Sequence, residues 1–525
     1  MPAYPARPRR RTVIALVALA VALKIALAAL VPLTGDEAYF LLYARDVDWG
    51  GFYDHPGMVG WMLWLMERFG SHPLVLRLPA VATGLVLPAL LYRTLRPLDA
   101  ERAALAALLL LFTPIYLVFV FITTDVGVVL FGFASMLAVQ RGVGDGGPRW
   151  FALGGVLLGL AFLSKYFAAL LGLAYAVHLL AVDRRHWRGF LVLLAAALPF
   201  GLLNLAWNYL HCWDNVMFNV FNRNAGEGPS LAGPAVYAAT LVYLFAFPLW
   251  WLARQRGAVA DAVRRHRLGL FVTVAAVPLG LFALVSVIAR IGLHWLVLFA
   301  PAVYAAYLGL APGALRRALV LMAGFGILHA AALLALALVP PTAFRGTELH
   351  RDAALYLAPA AFADALPRPG VDFRATPSYS RSAVLSYYTG RYWSVFGTGS
   401  EHARQDDRLT DWRRRDGGTM LYTAGRGEVP RAELERYFER VEVGRIEAGG
   451  ATFAFAVARG FDYGRYRDEV IARIRERYYD IPAFLPVGGC GFLERYFPDR
   501  RDVSSPGPAA AGPVPARREE PCERW

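Results

Sequence analysis

The chain has 525 residues, 57% of them hydrophobic and only 18% charged, with a mean hydropathy of +0.41. So much apolar sequence excludes an ordinary soluble protein and points to a chain that crosses a membrane many times. The net charge of +14 would suggest nucleic acid in a soluble protein, but here arginine clusters separate apolar runs, so topology accounts for the charge and nucleic acid is set aside.

Residues 1–12 are basic, with Arg7, Arg9, Arg10 and Arg11. The apolar stretch that follows is too long for a signal-peptide core and lacks a small-residue cleavage pattern, so it reads as an uncleaved first span at 13–32. Further spans are predicted at 74–95, 102–121, 125–141, 150–163, 166–182, 189–207, 233–253, 268–290, 293–311 and 317–340, about eleven in all, although several fall short of a full crossing. The arginines of the N-terminal tail, of 93–102, 141–149, 184–188 and 254–267, and Arg316 and Arg317 then fall on one side. The positive-inside rule makes that side cytoplasmic. An odd number of spans puts everything after Pro341 outside. The predicted organisation is a cytoplasmic tail at 1–12, a membrane all-α bundle at 13–341, a small extracytoplasmic α/β domain at 342–500, and a Pro/Ala-rich tail at 501–525 that reads as disordered.

Between the first two spans lies "LTGDEAYFLLYARDVDWGGFYDHPG". Thr34-x-x-Glu37 has the spacing of a capping box, and the apolar run after it would be the capped helix. That helix should lie along the membrane surface with Tyr39, Phe40 and Tyr43 in the headgroup region. Residues 57–70 read as a second surface helix carrying Trp61 and Trp64. A carboxylate at the start of such a helix sits where a lipid-linked substrate presents its headgroup. There it could take a proton from an attacking hydroxyl, and partial burial beside aromatics would raise its pKa.

Other polar residues fall on the same outer side. Asp125 stands at the end of a span, where it could equally cap the next helix. Lys165 and Arg77 could snorkel to the interface or bind a phosphate. The run "WNYLHCWDNVMFNVFNRN", with Asn208, has the amides and aromatics of a sugar-binding loop and also of any interfacial loop. Arg290 and His294 share another outer turn. Lys24 falls inside the first span, where an ionisable group usually faces the bundle and a structural partner is expected. The cysteines, Cys212, Cys490 and Cys522, have no metal-binding spacing; Cys490 and Cys522 could pair in an oxidising compartment.

Beyond residue 370, "DFRATPSY", "YWSVF" and "TMLYTA" read as strands and "SRSAVLSYYTG" as a helix stopped by Gly390. "PRAELERYFERV" reads as a helix with Pro near its first turn, and "RIEAGGATFAFAVA" as a hairpin.

The stretch "TGDEAYFLLYARDVDWGGFYDHPGMVGWM" resembles the first outer loop of the GT-C glycosyltransferases that use polyprenyl-phosphate sugars, a group that includes the protein O-mannosyltransferases and the lipid A aminoarabinose transferase. "TTDVGVVLF", "GLAFLSKYFAALL" and "WNYLHCWDNVMFNV" are similar to later segments, so the resemblance runs in order through roughly residues 10–310. "SRSAVLSYYTGRYWSVFG" is similar, more weakly, to the external domain of bacterial members. The resemblance implies a membrane bundle with surface helices in its first outer loop, and inverting transfer of a sugar to an envelope lipid, glycan or protein. It implies Asp36 as catalytic base with Glu37 as its partner, and Lys165 and Arg77 at the donor phosphate. Arg290 is a further candidate for that charge. Tyr53, Asp54, His55, Asp125, Asn208 and His294 are the candidate substrate contacts. Asp54 and His55 stand where the lipid A enzymes have an acid, which helps hold a divalent metal, and a basic residue. That metal is the one cofactor the resemblance suggests.

The competing reading is a multi-span transporter or lipid flippase. Such proteins carry internal repeats and polar groups at mid-membrane, whereas the polar residues here gather at the outer surface. No nucleotide is required, and the glycines form no phosphate loop of Walker or Rossmann spacing.

Overall fold

The computed structural model describes residues 10–498 apart from 146, 224–227, 231, 368–369 and 426. Most of the N-terminal tail, the 501–525 tail and Cys522 therefore lie outside the described residues. The chain forms two compact units.

The first unit comprises residues 1–30, 65–203 and 226–335, and its described secondary structure is helical. Among the described residues five helices are long and apolar enough to cross a membrane: Arg10–Leu30, Leu78–Leu95, Thr124–Gly144, Arg184–Leu210 and Pro312–Leu338. A sixth crossing results if Ala232–Phe245 and Pro248–Arg254, bent by 94°, are one span. Shorter apolar helices occupy Pro148–Phe162, Ala168–Val182 and Gly269–Val285. The chain is a multi-pass membrane protein. The expected run 102–121 breaks between the helices Ala100–Phe112 and Pro114–Leu117, because Pro114 cannot donate to the preceding turn. Small residues let backbones close up: a Cβ at Gly155 would strike the Leu193 carbonyl, and one at Gly159 the Phe200 ring, the packing expected where apolar lipid supplies no hydrophobic drive.

Lys24 finds its partners in this unit. Its Nζ donates to the Tyr116 carbonyl at 2.5 Å and the Phe119 carbonyl at 3.3 Å. These acceptors lie at the end of the Pro114 turn, where a helix leaves carbonyls unsatisfied. Gly84 leaves room for the ammonium, since a Cβ there would strike it.

The second unit comprises residues 31–64, 204–225 and 336–525. Its centre is a five-stranded sheet: β1 (Phe373–Thr376), β2 (Ser394–Val395), β3 (Met420–Thr423), β4 (Phe438–Ala448) and β5 (Ala451–Phe461), in the order β2-β1-β3-β5-β4. β1 runs parallel to β2 and β3, and β5 pairs antiparallel with β3 and β4. Alternation splits the side chains between two cores. Phe373, Ala375, Met420, Tyr422, Ala456 and Ala458 join one with Phe396, Trp412 and Tyr466. Leu421, Phe453 and Val457 join the other with Leu355, Phe362, Leu385 and Trp393. The helix Tyr379–Thr389 ends on Gly390 at φ +63°. Gly449 and Gly450, at φ +56° and +74°, close the β4–β5 hairpin as a primed turn requires.

Three expectations are corrected. "PRAELERYFERV" is helical only over Arg431–Leu434; from Phe438 it is β4, because β5 offers it a long antiparallel ladder that outweighs local helix propensity. The aromatics of the Gly35–Arg45 helix are not headgroup anchors: Tyr39, Phe40 and Tyr43 are buried, and Tyr39 packs edge-on against Tyr379 at 5.0 Å. A helix apolar on all sides is covered all round. Finally, Cys490 pairs with Cys212 rather than with Cys522. Cys212 and Trp213 both take left-handed backbone, at φ +54° and +56°, a conformation that costs non-glycine residues about 1–3 kcal/mol and persists only where contacts over-determine it. The Asn208 carbonyl receives Trp213 N at 2.9 Å and the Gly489 carbonyl receives Cys212 N at 3.0 Å.

Candidate active site

The capping box is present. Glu37 N donates to Thr34 Oγ1 at 3.3 Å, and Glu37 Oε2 accepts from the Thr34 backbone N and from its hydroxyl, both at 3.1 Å. Glu37 is buried in this role. Asp36, one residue earlier on the first turn, is exposed, so the partial burial expected of Asp36 falls on Glu37 instead. The helix start favours a negative group at Asp36. The Tyr379 hydroxyl donates to Asp36 Oδ1 at 3.5 Å. Burial and the neighbouring carboxylates Asp36 and Asp54 hold the Tyr379 phenol well above its ordinary value, so it remains a proton donor.

Tyr379 leads to a second acid. Its ring stacks on His402 at 5.1 Å, and His402 Nδ1 lies 3.6 Å from Asp54 Oδ2. The other Asp54 oxygen accepts from the Tyr43 hydroxyl. Burial works to raise the Asp54 carboxyl, but His55, His402 and the Tyr43 hydroxyl together bring it below the usual carboxylate range. Asp54 is thus a buried anion beside two imidazoles. Sequence reading named Asp54 and His55 but missed Tyr379 and His402. The polar run "SEHARQDDR", charged residues clustered around a histidine, is the signal available in the sequence.

The loop holding Asp54 is gripped by a ladder of asparagines. Asn208 Oδ1 accepts from Asn215 N at 3.1 Å. Asn215 Nδ2 donates to the Phe52 carbonyl and, at 3.0 Å, to that of Tyr53. Asn219 reaches the Asp54 carbonyl at 3.1 Å and Asn222 the Tyr53 hydroxyl at 2.9 Å. The amides that resemble a sugar site therefore act first on the protein's own backbone, Asn208 and Tyr53 included.

The same loop clasps the helix Arg404–Leu409. Gln405 Oε1 accepts from Tyr53 N at 2.9 Å. Arg408 binds Asp48 at 2.7 Å, lies 3.7 Å from Asp214, and stands over the Trp207 ring at 5.2 Å. Arg404 pairs with Asp407 at 3.2 Å. Next to them Asp406 is buried with the hydroxyls of Tyr392 and Thr410, with no ion pair among the described residues, and burial lifts its carboxyl to about 7. The folded state thus keeps a proton that the unfolded chain releases near its ordinary value of 3.8. Stability from this group is complete below that value and is lost as pH rises toward 7 and beyond. The protein should unfold at a higher temperature at pH 6 than at pH 8, and Asp406→Asn should flatten the difference; an undiminished difference in thermal scans of the variant would exclude Asp406 as the source.

In the first unit the expected phosphate ligands are arranged differently from one another. Lys165 Nζ pairs with Asp125 at 2.8 Å, both nearly buried, and lies 5.4 Å from the Phe167 ring centre. Arg77 is fully buried; it donates to the Ala28 carbonyl at 3.1 Å and stands 5.1 Å from the Phe121 ring centre. Arg290 and His294 are exposed, either side of Gly292, whose missing Cβ makes room for the His294 ring.

The metal suggested for Asp54 and His55 does not fit what surrounds them. Among the described residues no group of three or more His, Cys, Asp or Glu side chains is placed to hold a cation. Asp54 is taken up by Tyr43 and His402, while His55 Nδ1 contacts the Asp54 carbonyl.

No curated protein matches the chain by sequence. Residues 54–207 match the family described as dolichyl-phosphate-mannose-protein mannosyltransferase. The fold matches the crystal structure of apo ArnT from Cupriavidus metallidurans with a TM-score of 0.60 and 16% identity, covering 85% of this chain and 97% of that one. It matches ArnT from the same organism bound to undecaprenyl phosphate with the same score and identity, covering 86% and 98%. A looser likeness, TM-score 0.43 at 11% identity over 84% and 74% of the two chains, is to the archaeal oligosaccharyltransferase AglB from Archaeoglobus fulgidus in complex with an inhibitory peptide and a dolichol-phosphate. The architecture is that of ArnT.

Proposed function

We propose that this chain, built on the fold it shares with ArnT, is an inverting glycosyltransferase that takes a sugar from a polyprenyl-phosphate donor and attaches it to a hydroxyl of an envelope lipid, glycan or protein outside the cytoplasm. The observation that carries the reading is an exposed carboxylate, Asp36, fixed on the first turn of a capped helix and backed by Tyr379, His402 and Asp54. In the reaction the acceptor oxygen bonds to the anomeric carbon as the bond from that carbon to the phosphate oxygen breaks. Asp36 receives the acceptor's proton, and the polyprenyl phosphate departs with the bonding electrons. Countering that new charge is typically the largest catalytic contribution, and it falls to Lys165, with Arg77 and Arg290. Asp125 keeps Lys165 oriented.

About eleven crossings with a cytoplasmic N-terminus is the arrangement that fits the arginine clusters, with 31–64, 204–225 and the segment after residue 341 outside. The disulfide between residues 212 and 490 supports an oxidising compartment for both.

The test is transfer of labelled sugar from a polyprenyl-phosphate donor by the protein in liposomes, with mass spectrometry of envelope lipids and glycans from cells with and without the gene to identify sugar and acceptor. Lys165→Ala should raise the donor KM roughly ten- to a hundredfold, the equivalent of one lost charge-assisted hydrogen bond of about 1.5–3 kcal/mol. A change confined to acceptor kinetics would remove the phosphate role.

A further inference from the structure

Strand β1 carries an arginine where a sheet of this kind expects an apolar residue. Phe373 and Ala375 point into one core. Arg374, between them on a strand paired on both sides, faces the layer of Leu366, Leu385 and Trp393. It is half-buried, and no hydrogen bond or ion pair is present at it among the described residues. Burial and the nearby Arg391 guanidinium pull its proton affinity below the ordinary arginine value. A half-buried guanidinium facing a like charge is costly unless an anion joins it.

The space for an anion exists. Arg374 and Arg391 open onto a cavity of about 650 Å³, within the range of small-molecule sites. Arg415 also lines it, held in place by donating to the Asp372 carbonyl at 3.2 Å. The acids of the wall are Asp364 and Asp372, and the latter's Oδ2 is occupied by Thr419 N at 2.7 Å. Aromatic residues complete the lining, Tyr388 half-buried and Trp393 buried in the adjoining core. Trp393 is anchored through its indole N–H to Thr389 at 3.0 Å, and Tyr388 through its hydroxyl, which accepts from Leu33 N at 3.2 Å. Paired guanidiniums beside the half-buried Tyr388 suit an anion on a ring larger than a bare phosphate.

We propose that the cavity bounded by Arg374, Arg391 and Arg415 binds a saccharide bearing a phosphate or carboxylate group. The guanidiniums take the anion and Tyr388 flanks the sugar ring. The assignment does not depend on the transferase reading, and its test measures no transfer, so either can fail alone.

Full-length protein in lipid nanodiscs would be titrated calorimetrically with glucose 6-phosphate, glucuronate, methyl glucoside and inorganic phosphate. The anionic sugars should bind at least about tenfold more tightly than methyl glucoside and than inorganic phosphate, as one or two charge-assisted hydrogen bonds would give. Arg374→Gln and Arg391→Gln should each remove that preference, and Arg374→Lys should keep part of it. Arg391 is exposed, so its variant reads the site even if Arg374→Gln fails to fold. Equal affinity for charged and neutral sugars, or wild-type binding by a folded variant, overturns the proposal. Inorganic phosphate binding as tightly as glucose 6-phosphate overturns its saccharide part.

Discussion

Asp36→Asn should abolish sugar transfer while leaving the protein in the membrane at its normal level. The substitution keeps shape and removes only the ability to accept a proton. Because Asp36 is exposed and Glu37 makes the cap, no buried group loses a partner. A positioned general base contributes about 10²- to 10⁴-fold, so turnover should fall by at least that lower figure in a radiolabel assay with saturating donor. Glu37→Gln is the informative companion. It weakens a cap worth about 1 kcal/mol and should lower stability more than chemistry. Undiminished turnover in the Asp36 variant would remove the base assignment and leave Asp54 as the next acid to test.

The second large effect is expected far from the chemistry. Arg408→Ala should destabilise the second unit by about 3–5 kcal/mol, the usual cost of breaking a buried ion pair from one side. Asp48 and Asp214 would then lose the guanidinium they share, with His211 Nε2 3.5 Å from Asp48. Neutralising one acid as well, in Asp48→Asn/Arg408→Met, should recover part of the loss, because what costs most is a charge left alone. Cellular abundance, protease resistance and thermal unfolding of the intact protein should move together. Wild-type resistance in Arg408→Ala would show that the clasp on the 404–409 helix carries no weight.

What could be read from the chain was local or periodic. Thr34-x-x-Glu37 predicts a capping box and the structure has one; Gly390 and the Gly449-Gly450 pair stop a helix and turn a hairpin as their chemistry requires. The apolar runs predict the helices, and ordered motifs from Asp36 to Asn215 predict the ArnT-like architecture. The rest depends on pairings between distant residues, which no local pattern encodes. Asp54 meets His402, Asp48 meets Arg408, and Cys212 meets Cys490. "ERYFERV" is strand only because β5 lies beside it. Amides in the 208–222 loop look equally apt for sugar or for backbone, and the choice appears only once Phe52–Asp54 is seen between them.

The Cys212–Cys490 bond links positions 278 residues apart, and the last long apolar helix, Pro312–Leu338, lies inside the circle it closes. Maturation therefore has an order. The thiol at 212 must wait, unpaired, while several more helices are threaded into the bilayer, and an oxidase can seal the ring only after the segment carrying Cys490 has arrived beside it. Chains released early would keep a reactive sulfur that quality control can recognise. A mature molecule nicked anywhere within the ring would still migrate as one piece until a reductant is added.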